Sequence, residues 1–127
     1  MICNGWTILT HPLFDAQLNT LTEQVKKLKA KDSDGYVNKS ETKRLAAIHK
    51  LAFDVIPQDP TLPIYRQGNT LSKQNKHWFR AKFLQQYRLF FRFHAKSKMI
   101  VLVWVNDADS KRAYGSKADA YHTSGNL

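Results

Sequence analysis

Two short stretches in the second half of the chain alternate apolar and basic side chains at every second residue. In WFRAKF, Phe79, Ala81 and Phe83 fall on one side and Trp78, Arg80 and Lys82 on the other. In YRLFFRF, Leu89, Phe91 and Phe93 oppose Arg88, Phe90 and Arg92. A period of two belongs to β-strands, so each stretch reads as a strand with one apolar and one basic face. Pairing them is tightly constrained, because a slip of one residue inverts every side chain of a strand. A two-residue turn at Gln85-Gln86 sets Phe83 opposite Arg88 and mixes the faces. A three-residue loop, Leu84-Gln85-Gln86, sets Phe83 opposite Tyr87, Lys82 opposite Arg88 and Arg80 opposite Phe90. Burial favours the second register, although such loops usually want a glycine at the left-handed position and this one has none. The expected result is a basic groove floor with Trp78 and Phe90 interleaved.

Charge sharpens that expectation. No Asp or Glu occurs between Asp59 and Asp107, whereas Arg66, Lys73, Lys76, Arg80, Lys82, Arg88, Arg92, Lys96 and Lys98 all do. Almost all of the formal net charge of +10 therefore lies in this segment. Such a local field attracts a polyanion, and aromatic rings among the cations suit unstacked bases of single-stranded RNA or DNA. A merely solvated surface is the plainer alternative, but such surfaces normally mix both signs.

The rest of the chain reads as a single α+β domain over residues 1–127. Residues 6–9 form a short apolar run suited to an edge strand. Thr10 can cap a helix with Pro12 in its first turn, and Phe14, Leu18, Leu21, Val25 and Leu28 recur at helical spacing. Lys26, Lys27, Lys29 and Lys31 crowd its C-terminal end, and residues 32–35 break it. A second helix is expected over 38–56, with Leu45, Ile48, Ala52 and Val55 as its buried stripe and Pro57 ending it. Residues 57–76 read as a long loop. Residues 99–105 are almost wholly apolar, as in a central strand covered on both faces. A short helix containing Tyr114 is expected before Gly115. The N-terminal strand and two helices would then pack on an antiparallel sheet, with a short C-terminal helix.

Several chemistries are disfavoured. The single cysteine, Cys3, excludes a disulfide scaffold and a Cys-based zinc site. His11, His49, His77, His94 and His122 lack metal-ligand spacing, and the basic segment has no carboxylates to hold metal ions. No cofactor motif, signal peptide or run long enough to span a bilayer is present, so no cofactor or membrane partner is expected and a cytoplasmic location follows by default. What remains is a nucleic-acid binder or a metal-free ribonuclease. In the latter a 2′-hydroxyl attacks the adjacent phosphate among positioned cations. Arg80, Lys82 and Arg88 are spaced to surround one phosphate, and Tyr114 could lie beside them.

The strand YRLFFR, the apolar strand ending in WVND, the following KRAYGSKADAY, the opening NGW…HP…F and the run NKHWFRAKF together resemble the YhaV-type toxins of the RelE superfamily. The resemblance implies a RelE-like fold. It also implies a metal-independent endoribonuclease that cuts mRNA, commonly at the ribosome, and halts translation. A PrlF-like antitoxin would inhibit it, and operator DNA would be reached through the antitoxin complex. By that resemblance Arg80, Lys82, Arg88 and Tyr114 are the catalytic group. Trp78, Lys76, Phe90, Arg92, His94 and Asn106 are expected to contact substrate, His94 being also a weak candidate for acid–base work. Family members commonly carry another basic residue after the last strand, where this chain has Asn106-Asp107-Ala108. The family pattern also has a longer, Gly-containing turn at 84–86 and continues beyond residue 127. A homologue that has lost activity and regulates through binding, or a ribosome-associated structural protein, are the competing readings.

Overall fold

The structure is a computed structural model and describes residues 1–66 and 78–106. The expected C-terminal helix, with Tyr114, and the basic residue Lys76 lie outside the described residues.

Five strands form one sheet. They are β1 (Ile2–Cys3), β2 (Trp6–Thr10), β3 (Phe79–Phe83), β4 (Tyr87–His94) and β5 (Met99–Asn106), in the spatial order β1-β2-β5-β4-β3. The apolar run at 99–105 is the middle strand, as its composition implies. The sheet is mixed. β3, β4 and β5 form an antiparallel meander, whereas β2 joins β5 in parallel, Thr7 facing Met99 and Thr10 facing Leu102. Residues 6–9 are not at an edge, because β1 pairs on their outer side through an Asn4-Gly5 turn with both residues at positive φ. Asn-Gly is the favoured pair for such a turn, since both central residues must be left-handed.

Helix α1 (Pro12–Lys31) begins one residue later than Thr10 would allow. His11 is its cap, accepting the Leu13 N–H on Nδ1 at 3.1 Å. Helix α2 (Ser40–Lys50) runs on through a π turn (Leu51–Val55) and one further turn of α-helix, α3 (Ile56–Gln58). Pro57 thus does not end the helical stretch at once. The π bond, Ile56 N–H to Leu51 O, comes just before Pro57, which has no N–H to continue the ladder. The extra residue of the π turn also rotates the apolar stripe. Ile48, Leu51, Ala52 and Ile56 are buried, while Leu45 and Val55 are only partly so. Both long helices cover one face of the sheet, where Phe14, Leu21 and Ile48 meet Leu89, Phe91, Ile100 and Leu102. The expected loop over 57–76 is partly ordered into a 3-10 turn (Pro63–Tyr65) that buries Tyr65 edge-on against Phe91 at 5.4 Å. Burial holds the Tyr65 phenol above its ordinary pKa, with Asp59 adding to the shift.

The β3–β4 register is the one that burial selects. Phe83 pairs with Tyr87, Lys82 with Arg88, Arg80 with Phe90 and Phe79 with Phe91. The missing glycine leaves its mark, since Leu84 (φ 47) and Gln85 (φ 67) both occupy the left-handed region. For residues with a Cβ this costs about 1–2 kcal/mol each.

The second face of the sheet is not an open groove floor. Trp78 and Phe90 are 6% and 2% exposed and pack with Val103 and Trp104 into a second apolar cluster. A β-bulge produces it. Phe90 pairs with Trp104 but Phe91 with Leu102, which leaves Val103 as an extra residue and turns both Val103 and Trp104 towards this face. Alternation placed Trp78 and Phe90 on the expected side; the neighbouring strand then enclosed them.

Two outcomes follow. Phe91→Ala should lower unfolding stability by about 3–5 kcal/mol in a denaturant titration, because the ring is fully buried. Gln85→Gly should raise the denaturation midpoint, adding roughly 1 kcal/mol as the left-handed strain is relieved.

Candidate active site

Directly paired residues on neighbouring strands share a face, so β3, β4 and β5 lay side chains across the sheet in rows. One row is Lys82, Arg88 and Asn106. The next is Arg80, Phe90 and Trp104. At a strand spacing of about 4.8 Å the first row spans roughly 10 Å, the scale of one phosphate with its flanking sugars. Lys82 is exposed, Arg80 and Arg88 are half-buried, and Asn106 is 1% exposed.

Two polar atoms in this row are buried without a hydrogen-bond partner, Arg88 Nε and Asn106 Oδ1. Buried polar groups are nearly always paired, so these two are exceptions, with Thr42 Oγ1 on α2 a third among the described residues. Among the described residues the one ion pair joins Lys26 to Glu23 at 3.3 Å on the surface of α1. None of the cations in these rows has an acidic partner there. Nor do three or more His, Cys, Asp or Glu side chains converge as metal ligands among the described residues.

Neighbouring elements hold the row in place. Arg44 of α2 donates from Nη1 to the Tyr87 hydroxyl at 2.8 Å, which fixes the start of β4 beside Arg88. Gln17 of α1 clamps the end of β5. Its Oε1 accepts the Val105 N–H at 2.8 Å and its Nε2 donates to the Val105 carbonyl at 2.8 Å. Its side-chain amide stands where β2, ending at Thr10, no longer supplies a backbone partner. Neither Gln17 nor Arg44 is a candidate on sequence grounds. The available signal is Gln17's place on the apolar stripe between Phe14 and Leu21, where a polar residue needs a reason.

Not all expected site residues come together. Arg80, Lys82, Arg88 and Asn106 form one group. Trp78, Arg92 and His94 form another farther along β4, where the Arg92 guanidinium lies over the Trp78 ring at 5.2 Å from its centre. At about 3.4 Å per residue, His94 is roughly 20 Å from Arg88 along the strand. A phosphate at Arg88 would therefore be out of reach of His94. Lys76 and Tyr114 lie outside the described residues.

The model of the YhaV toxins, described as toxins with endonuclease activity of a toxin–antitoxin system, matches residues 8–126. The chain belongs to the YhaV toxin family. It is 44% identical over 120 residues to the ribonuclease toxin YhaV of Escherichia coli strain K12, a match covering 93% of this chain and 78% of that relative. Toxin YhaV of Escherichia coli O157:H7 matches equally, at 44% identity over the same share of each chain. Among solved structures, the toxin–antitoxin complex RelBE2 from Mycobacterium tuberculosis superimposes with a TM-score of 0.53 at 19% identity, covering 80% of this chain and 90% of the matched one. The RelE-like fold expected from the sequence is the fold observed. Within that YhaV frame, the row ending at Asn106 is the part of the basic face with buried polar atoms left unpaired.

Gln17→Ala should cost about 1–3 kcal/mol for its two hydrogen bonds. Amide hydrogen exchange at Val105 should accelerate more than at Leu102, which β2 and β4 pair on both sides.

Proposed function

We propose that this protein is a metal-independent endoribonuclease that cleaves mRNA, at the ribosome, and so stops translation until an antitoxin binds it. The observation that carries this reading is the row Lys82–Arg88–Asn106, cationic, free of carboxylates and with Arg88 Nε buried and unpaired. Arg88 as a whole is only half-buried, and a phosphate oxygen is a natural acceptor for guanidinium N–H groups, in charge-assisted bonds that are strong. The ribonuclease activity named for the Escherichia coli relative supports RNA as the substrate.

In the proposed reaction the 2′-hydroxyl gives up its proton and its oxygen bonds to the adjacent phosphorus. The bond from phosphorus to the 5′-oxygen then breaks, and that oxygen takes up a proton. The products are a 2′,3′-cyclic phosphate and a 5′-hydroxyl. Negative charge grows on the phosphoryl oxygens along the way. Arg80, Lys82 and Arg88 are fixed cations facing it, and preorganised charge lowers such a barrier without reorganisation at the moment of reaction. Tyr114 is the proposed partner for a proton at this site. Phe90 and Trp104 flank the row on the same face with buried apolar surface, beside which electrostatic attraction is less screened. The partners are mRNA, the ribosome and a PrlF-like antitoxin, with operator DNA bound through the antitoxin complex. Action in the cytoplasm follows from that substrate.

Arg88→Ala should reduce cleavage of mRNA on translating ribosomes about 10²–10³-fold, with thermal unfolding little changed. Cleavage should persist in EDTA and fall steeply with salt, as phosphate contacts do. Intact mRNA at every protein concentration, with equal RNA binding by wild type and Arg88→Ala, would instead identify a homologue that binds without cutting.

A further inference from the structure

The basic face continues past the row of Arg88 to a recess of about 350 Å³ at the far end of β4, lined by His11, Trp78, Arg92, His94, Val101 and Val103 among others. An apolar cavity of about 150 Å³ already admits a benzene ring, so this one has room for a purine. Its wall is apolar and its rim is not. Both histidines at the rim have Nδ1 engaged by a backbone N–H. His11 Nδ1 accepts the Leu13 N–H at 3.1 Å, and His94 Nδ1 accepts the Ser97 N–H at 3.3 Å, with the Ser97 hydroxyl also at 2.7 Å. A ring nitrogen that accepts carries no proton, so in each neutral ring Nε2 is the donor. Arg92 adds donors only, and its guanidinium is already stacked on Trp78. Among the described residues the lining has no carboxylate.

We propose that this recess is a nucleobase pocket, which takes one base of the RNA strand whose scissile phosphate sits at Arg88. The inference rests on the ribonuclease reading for the identity of the strand, but not for the existence of the pocket. Arg92 lies about 14 Å from Arg88 along β4, so the base received belongs to a nucleotide beyond the cleaved linkage rather than to the linkage itself. A rim of N–H donors suits a ring edge made of acceptors. Guanine offers O6 and N7 together, and uracil offers carbonyl oxygens. On the edge where guanine shows O6 and N7, adenine and cytosine each present an exocyclic amine, which would face another donor, whereas guanine's own amine lies on its opposite edge. The pocket therefore selects guanine or uracil at one position of the substrate, and selects neither at the bond that is cut.

The test is an abasic scan. RNA oligonucleotides made uncleavable by 2′-O-methylation carry a single abasic residue at each position in turn, and binding is measured by fluorescence anisotropy. One position away from the cleavage site should weaken binding roughly 5- to 100-fold, the range of one stacked base. At that position guanine or uracil should bind more tightly than adenine or cytosine. Val101→Phe, which fills the recess from its half-buried wall, should abolish the penalty, and so should His94→Ala, whose exposed side chain makes misfolding no concern. A flat scan, or a penalty undiminished in both folded variants, overturns the pocket. If the scan is flat while cleavage still depends on Arg88, the pocket fails and the ribonuclease reading stands. If no RNA is cut yet the penalty appears and is lost in Val101→Phe, the pocket stands and the ribonuclease reading fails.

Discussion

The register of the β3–β4 hairpin is the constraint on which everything else in this molecule depends. Pairing Lys82 with Arg88 and Phe79 with Phe91 sends all the cations to one side of the sheet and the Phe and Leu core to the other. Shifting either strand by one residue would bury a guanidinium under the helices and turn two phenyl rings out of the core. The turn that enforces this register is strained at Leu84 and Gln85. The burial of Phe91 and Leu89 outweighs that strain, because the loss of either ring or side chain from the core would exceed what a relaxed turn could return. A local defect is thus tolerated for the sake of a long-range division of faces.

The basic face gains its character from β5 rather than from the cations alone. By placing Val103 and Trp104 on the same side, the bulge gives Phe90 and Trp78 an apolar cover and sets a buried apolar cluster beside the cations on one face. The helices act on this face from the other side of the sheet. Gln17 holds Val105 and Arg44 holds Tyr87, so the two strands that carry Arg88 and Asn106 are each secured one residue away. The backbone on either side of Arg88 and Asn106 is thereby tied to the helices.

Features with a strict period were legible in the sequence. The α1 stripe, the alternating strands and their register all follow from spacing and burial, and the cationic row follows from the register. Where no period exists, the reading stops. A run such as Met99–Val105 is apolar at every position, so nothing in it betrays that one residue is extra. The π turn is hidden for a related reason, because Leu51, Ala52, Val55 and Ile56 suit either helical register. Thr10 and His11 can both cap a helix, and only the backbone at His11 decides between them. The Asn4-Gly5 turn, by contrast, is a plain hairpin signal that the apolar run beside it overshadows. In the site, alternation tells which side Trp78 and Phe90 take but not what covers them. The roles of Gln17 and Arg44 arise from contacts across distant parts of the chain and have no local signature.

The parallel pairing of β2 with β5 has a consequence for the birth of this protein. Thr7 leaves the ribosome early, and Met99 must be made before the two can meet. The central strand of the sheet is therefore the last of the described strands to be synthesised, and both of its neighbours wait for it. Until then the aromatic strands have no complete core, and contacts so distant in sequence form slowly. A nascent chain with this connectivity has no assembled basic face while most of it is still being translated.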